Sequence, residues 1–484
     1  MTLEIDFPEK KSFVRLFGSD IYAVGGYVRD TLLGHPKNEG IDLLITNHPV
    51  DSIIGSLSPL GKVDPVGRSF GVIKFTIKGR TYDIALPRTD LPRETQLRGH
   101  KDFIITADPG LPLETDLKRR DFRCNSIALR LADGKIFDPY EGRKDIREKI
   151  LRLTNPETFA EDPLRILRAA RFASVLGFTV DSSVYKLAKS IDVTGLSVER
   201  VNEELFRILL RSPAPSAGLE ELFMLDALRQ LFPPLYRLTL TIQDSVFHPE
   251  KDRFGHHTVW QHTKITVDQA KNLAEKRKLD EPRKLALLLA ALYHDAGKVV
   301  TTQWEFKHGR MVIITHGHDI TGEKITEDVF NKFKIFSWRG YDLRRAVLAL
   351  IRCHHRASEL WQNRNVITKK AFNRLNADMN GEIELLVLLD VADRAGRSES
   401  PIRDIDEQGR WLLDKFDELN VSKETLKPII MGRDLMAEGI SPGPAMGRIL
   451  KRLYQMQIDN EFETKEEGLR LVGRVVQEMR DEKE

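Results

Sequence analysis

The sequence predicts an α+β chain: a small mixed-sheet head followed by a longer, mostly α-helical remainder. Between Ile21 and Leu86, short apolar runs alternate with turns, in "IYAV", "IDLLI", "VIKFTI" and "TYDIAL", which is the pattern of half-buried strands. After Pro156 the pattern changes to helical periodicity, first in "EDPLRILRAARFASVLGF" and then in "SVERVNEELFRILL". A length of 484 residues exceeds what one hydrophobic core usually serves, so several compact units are expected.

The elements follow in order. "IYAV" runs into Gly25-Gly26 and then a helix from Val28 to Leu33. The next strand places Asp42 and Leu44 on the face opposite Ile41 and Leu43, because side chains alternate along a strand. "VIKFTI", the turn "KGR" and "TYDIAL" form a hairpin pattern that puts Asp83 on a strand near Asp42. A long polar connection spans Arg88 to Asp116. Asp162 reads as a helix N-cap with Pro163 as the first helical residue. Arg165 and Arg168 follow at spacings of three and share a helix face with it. The prolines and mixed polarity of "RQLFPPLYRLTLTIQDSVFHPEKDRFGHH" mark a linker into a second helical unit, and "SESPIRD" and "ISPGPAMG" interrupt the later helices. Boundaries are expected near residues 155, 240 and 415. These give a head (1–155), a helical neck (156–240), a third unit (241–415) and a C-terminal helical region (416–484).

Composition excludes several classes. With 41% apolar and 30% charged residues the chain is neither disordered nor low in complexity, and no fixed-period repeat is present. Cys124 and Cys353 are the only cysteines, too few and too far apart for a disulfide framework or a CxxC metal site. The N-terminus lacks an apolar signal region, and no apolar run is long enough to span a bilayer. A cytoplasmic protein with no membrane association is expected. The formal charge of +3 hides arginine-rich stretches, "DLKRRDFR" and "EDPLRILRAARF", that suit a phosphate-rich partner.

Two constellations carry chemistry. In "IYAVGGYVRD" a strand, two glycines and a helix start form a turn whose backbone N–H groups can face an anion; a plain tight turn reads the same way. Asp42 and Asp83 beside such a turn supply the carboxylate oxygens that magnesium-dependent phosphoryl transfer needs, or are solvated strand acids. Further on, "WQHTKITVDQA", "LALLLAALYHDAGKVVTT" and "LLVLLDVADRAG" bring His262, His294, Asp295 and Asp393. Histidine nitrogen mixed with carboxylate oxygen suits manganese, nickel, cobalt or iron, and magnesium at lower affinity. His316 with His318 and His354 with His355 add to a polar cluster without an assigned ligand role. "SPGPAMGRILKRLYQMQ" puts Arg448, Lys451 and Arg452 on a helix that contacts RNA phosphate or is simply solvated.

"GGYVRDTLLG", "DLKRRDFRCNSIAL", "FDPYEGRKDI" and "EDPLRILRAARFASVLGF" together resemble the bacterial tRNA nucleotidyltransferase and poly(A) polymerase family, of class II. The resemblance implies a polymerase-beta-like nucleotidyltransferase head in which Asp42 and Asp83 are catalytic and bind Mg2+. The family carries Asp-x-Asp on the second strand, whereas this sequence reads Gly40-Ile41-Asp42. Glu39 stands next to the substituted position with its side chain expected on the other face. Gly25, Gly26, Arg29, Arg120, Asp121, Asp162, Arg165 and Arg168 match nucleotide-binding positions. Arg120 and Asp121 correspond to contacts with ribose and phosphate. Asp162 and Arg165 correspond to the pair that hydrogen-bonds the incoming base and selects cytosine or adenine. The 88–116 connection sits where the family has a flexible loop linked to the switch from C to A addition.

"HDAGK" resembles the HD phosphohydrolase signature, whose four metal-ligand positions are matched by His262, His294, Asp295 and Asp393. The leading expectation is a template-independent enzyme that adds CCA to tRNA 3′ ends from CTP and ATP, fused to an HD phosphohydrolase. The alternatives are an HD phosphohydrolase whose inactive head holds RNA, and a poly(A) polymerase.

Overall fold

The structure is a computed structural model. It describes residues 3–481 apart from 4, 36–39, 68–71, 93–102, 308, 399–403 and 420–426. Contacts divide the chain into two compact units, Met1–Phe232 and Pro233–Glu484.

The first unit is built on a mixed sheet. Its strands are β1 (Ile21–Val24), β2 (Asp42–Ile45), β3 (Lys62–Gly67), β4 (Val72–Ile77) and β5 (Arg80–Ala85). Beyond a separate two-stranded ribbon of β6 (Arg88–Pro92) and β7 (Phe103–Ala107), β8 (Ala128–Arg130) and β9 (Ile136–Phe137) complete it. The order across the sheet is β3-β4-β5-β2-β1-β8-β9. β2 and β5 run parallel while β1 is antiparallel to both its neighbours. Ile21, Ala23, Val24, Leu43, Leu44 and Ile45 are fully or almost fully buried, as expected of central strands covered on both faces. A helix at Lys10–Phe17 precedes β1, and the helix after the glycine pair begins at Gly26, two residues earlier than the sequence suggests, and ends at Leu32. The polar 88–116 connection contains the β6–β7 ribbon, and its middle, 93–102, lies outside the described residues.

Helices follow. Asn155 caps the Pro156–Glu161 helix by accepting from Glu157 N at 2.8 Å. Asp162 ends that helix in an extended conformation, and its side chain accepts from Leu164 N at 3.1 Å. The next helix therefore runs Leu164–Leu176 with Pro163 flanking it. The start is one residue later than expected because the proline follows the end of a preceding helix. Val198–Arg211 packs beside it.

In the second unit the diproline of the expected linker opens a helix, Pro233–Leu238, since proline is tolerated in a first turn. The Glu281–Tyr293 helix is capped by Asp280, whose Oδ1 accepts from Arg283 N at 2.9 Å. Every residue from Leu285 to Tyr293 is buried, so this helix is the core of the unit. Val259–Lys276, Leu343–Cys353 and Ile383–Ala395 surround it. A further cluster, including Leu435, Leu453, Met456 and Val475, holds the C-terminal helices Pro444–Ile458 and Lys465–Asp481 together. Among the described residues no helix is long and apolar enough to cross a membrane.

In the first unit, one buried carboxylate ties two helices to the turn between them in space. Asp121 Oδ1 accepts from Phe122 N at 2.8 Å and from Asn125 Nδ2 at 2.9 Å, and Oδ2 accepts from Arg168 Nε at 2.7 Å. Asn125 Oδ1 accepts from Arg29 Nη1 at 2.7 Å. The Gly26–Leu32 helix, the 121–125 turn and the Leu164–Leu176 helix are thus linked through one acid. Burial by itself raises the Asp121 pKa, but Arg168, Asn125 and the Phe122 N–H outweigh it and hold the carboxyl at about 2. A carboxylate lowered on folding stabilises the fold above its unfolded value near 4, and that contribution is lost as pH falls through the folded value. Asp121→Asn is expected to cost roughly 2 kcal/mol at pH 7. In urea titrations the gap from the wild type should begin to close below about pH 4; a constant gap across that range would contradict the assignment.

Candidate active sites

The first site grows from the sheet. Parallel pairing of β2 with β5 sets Asp42 directly beside Asp83, and both acids are exposed while their strand neighbours Leu43 and Ile84 are buried. Gly25, at φ +70°, makes the turn out of β1. A Cβ there would stand 2.8 Å from Arg120 Nη1 and 3.5 Å from Asp42 Oδ2. Glycine is what allows the backbone to lie against both groups. Burial raises the Asp42 pKa; Arg120 and Arg168 pull it down and Asp83 pushes it up, with a net rise. Two adjacent carboxylates, of which Asp42 is pushed up by burial and by the charge of Asp83, are a donor set that fits a hard divalent cation. Gly40 has φ +67° and open space around it, so an aspartate there would meet no clash but would strain the backbone. Glu39 lies outside the described residues.

Next to these acids is a cleft of about 490 Å3. Among the described residues lining it are nine arginines and three aspartates, Asp42, Asp121 and Asp162. That excess of fixed positive charge suits a polyphosphate. Phe172 forms a wall on which guanidinium groups stack: its ring centre is 4.0 Å from the Arg171 carbon, 5.0 Å from that of Arg29 and 5.2 Å from that of Arg168. Arg171 also donates to Glu204 at 2.5 Å. Arg120 donates to Asp116 Oδ2 at 3.0 Å.

The structure brings Gly25, Gly26, Arg29, Asp42, Arg120, Asp121, Asp162, Arg165 and Arg168 to this one cleft, with Asp83 beside Asp42. Arg165 does not meet Asp162 through its guanidinium. It donates to the Thr158 carbonyl and, at 2.6 Å, to the Arg119 carbonyl. Asp162 instead accepts from Arg200 Nη2 at 2.9 and 3.1 Å. Asn125 and Arg200 were missed by sequence reasoning because their partners Arg29 and Asp162 lie far away in the chain, and Phe172 because a buried helix position reads as ordinary core.

The second site lies at helix ends in the other unit. His262 Nε2 is 2.8 Å from Asp393 Oδ1, and His294 Nε2 is 3.6 Å from the same oxygen and 3.3 Å from Asp295 Oδ2. Asp295 Oδ1 is 3.4 Å from His318 Nε2. His318 Nε2 is in turn 3.3 Å from His354 Nε2 and 2.9 Å from His355 Nε2. Asp295 therefore stands between two sets of nitrogen donors. His316 is exposed and stays outside.

Backbone carbonyls orient these rings. Nδ1 of His294 contacts Ala291 O at 2.8 Å, that of His318 contacts Thr315 O at 2.6 Å and that of His354 contacts Ile351 O at 2.5 Å. With Nδ1–H committed, each Nε2 presents a lone pair. Buried His294 Nε2 has no aligned hydrogen bond, and the lone pairs of His318 and His354 face each other. A cation removes both penalties, so the residues fit a divalent metal ion. Electrostatics agree. Burial lowers the pKa of His294, but Asp295 and Asp393 outweigh it and lift it to about 10, so the field at that point favours positive charge. Burial and the neighbouring imidazoles keep His354 well below its usual range, and hence neutral. Lys298 Nζ is 2.8 Å from Asp295 Oδ2. Glu250, which the sequence did not single out, is buried 3.2 Å from His262 Nδ1 and is held near pKa 2, the neighbouring His248 and His262 imidazoles outweighing burial.

Comparison with known proteins gives the same division. Residues 21–152 match the family model of the poly A polymerase head domain, and residues 259–397 match that of the HD domain. The multifunctional CCA protein of Xanthomonas campestris pv. campestris (strain B100) is 33% identical over 439 residues, covering 89% of this chain and 96% of that protein. The multifunctional CCA protein of Pasteurella multocida (strain Pm70) is 32% identical over 386 residues, covering 78% and 84%. Among solved structures, the Bacillus stearothermophilus CCA-adding enzyme in complex with CTP shares the fold. The TM-score is 0.60 at 21% identity, over 98% of this chain and 97% of that one. On the identity and coverage of these relatives, the chain belongs to the family of the multifunctional CCA proteins.

Proposed function

We propose that this chain adds C, C and A to the 3′ end of tRNA from CTP and ATP, and that its second unit is a metal-dependent phosphohydrolase. The observation that carries the first part is the pairing of Asp42 with Asp83 beside Gly25, at the edge of an arginine-lined cleft. The names and ligands of the relatives and fold neighbours, including a Thermotoga maritima enzyme complexed with tRNA, support it.

In this reading Asp42 and Asp83 would hold Mg2+, which would supply charge neutralisation for the triphosphate. The turn at Gly25 and Gly26 lets the phosphates approach the backbone. Arg29, Arg120 and Arg168 bind phosphate and ribose oxygens, with Asp121 fixing Arg168 and, through Asn125, Arg29. Asp162 and Arg165 read the base edge. The carbonyls of Thr158 and Arg119 hold Arg165 in one orientation, so the template is a fixed protein surface. In the second unit His262, His294, Asp295 and Asp393 would hold a divalent ion, one of manganese, nickel, cobalt, iron or magnesium, whose charge would supply polarisation of a phosphoester. His318, His354 and His355 offer a second group of nitrogens across Asp295. The boundaries at 155, 240 and 415 are part of this assignment.

Incubating the protein and Mg2+ with tRNA that lacks CCA, together with CTP and ATP, is expected to give ordered three-nucleotide extension. Long A tails would favour a poly(A) polymerase. Phosphate release without extension would favour a head that only holds RNA. Gly40→Asp restores the family's first acid at a left-handed position that aspartate tolerates at a cost of about 1 kcal/mol. Transfer should be faster, and an unchanged rate would mean that Gly40 does not occupy that position. The double variant His294→Ala with Asp295→Ala should lose metal-dependent phosphatase activity; undiminished hydrolysis would remove the second assignment.

A further inference from the structure

We infer that Glu250 is a positioning residue for the metal centre of the second unit, holding the His262 ring in the tautomer and orientation that turn Nε2 toward Asp393. The inference rests on the phosphohydrolase reading and deepens it.

His262 differs from His294, His318 and His354. The Nδ1 atoms of His294, His318 and His354 each contact a backbone carbonyl about one turn away. His262 Nδ1 instead stands 3.2 Å from Glu250 Oε1 in a fully buried setting, a charge contact rather than an aligned hydrogen bond, and Glu250 is the acceptor nearest to it. A carbonyl orients a ring, but a carboxylate also raises the basicity of the opposite nitrogen and adds charge behind the ligand. That opposite nitrogen is the one 2.8 Å from Asp393.

Glu250 is itself held from several sides. His248 Nδ1 at 3.0 Å and Gln243 Nε2 at 3.2 Å approach the same Oε1. His257 Nδ1 contacts the Glu250 carbonyl at 3.1 Å, and Gln243 reaches Lys298 Nζ at 3.4 Å. Glu250 Oε2 is buried without a hydrogen bond. A glutamine in this place would fill the same volume, so packing alone does not require an acid. The acid is explained when the ring it contacts carries a cation on its far side.

The test uses the full chain carrying Asp42→Asn and Asp83→Asn, so that ions bound by the head do not contribute. Co2+ is titrated and read by its visible d–d absorption. Glu250→Gln is expected to weaken Co2+ binding by about 10–100-fold and to shift the absorption bands, with an unchanged far-UV circular dichroism spectrum. Glu250→Asp keeps the charge but withdraws it from His262, and should fall between the two. Wild-type affinity and bands in Glu250→Gln would overturn the inference. If that variant does not fold, wild-type affinity in Glu250→Asp would overturn it. Loss of one whole Co2+ equivalent in Glu250→Gln, with the remainder bound normally, would also overturn it by making His248, Glu250 and His262 a separate ion site. The underlying reading fails separately, if His294→Ala with Asp295→Ala leaves the Co2+ spectrum unaltered.

Discussion

A carboxylate out of water has to keep its partners or lose its charge, and in this protein that constraint falls on Asp121. Its two oxygens take three donors from the turn and from the helix beyond it. Removing Arg168 would leave a buried charge without its counter-ion, which costs more than the pair itself gains. Arg29, Asn125 and Arg168 therefore hold fixed places, and with them the floor of the arginine-lined cleft. Phe172 adds a flat apolar surface that keeps three guanidinium groups close together despite their like charge.

The two sites use different donors for different cations. Strand acids in the first unit offer oxygen alone, which suits a hard ion that keeps positions open for phosphate. Helix ends in the second unit offer mainly imidazole, which suits softer divalent ions. Both sites follow from their secondary structure. A period of two brings acids on paired strands together, whereas residues around a core helix meet where its end points.

Much of this was legible because it is local. The strand runs, the glycine pair and the helical turnover after Pro156 depend on neighbouring residues, and the structure places β1, β2, β4 and β5 where the alternation put them. Asp42 and Asp83 were legible as strand residues, but their register was not, because it depends on how the sheet is ordered. Helix starts moved by one or two residues, at Gly26 and Leu164. Asn125, Glu250 and Arg200 were invisible for a different reason. Arg29 meets Asn125 across 96 positions and Arg200 meets Asp162 across 38, and no spacing rule spans such distances, while Glu250 sits in the irregular segment ahead of the His262 helix, which has no periodicity to read. The histidine text was ambiguous in the same way: His318 turns inward at a helix start while His316, two residues earlier, faces solvent.

Asp295 has one oxygen toward His294 and the other toward His318. Two ions placed on either side of Asp295 would share its one unit of negative charge, part of which Lys298 already offsets. Occupancy of one position must then weaken occupancy of the other. Loading would be stepwise, and the metal content of the purified protein would depend on how stringently it had been exposed to chelator.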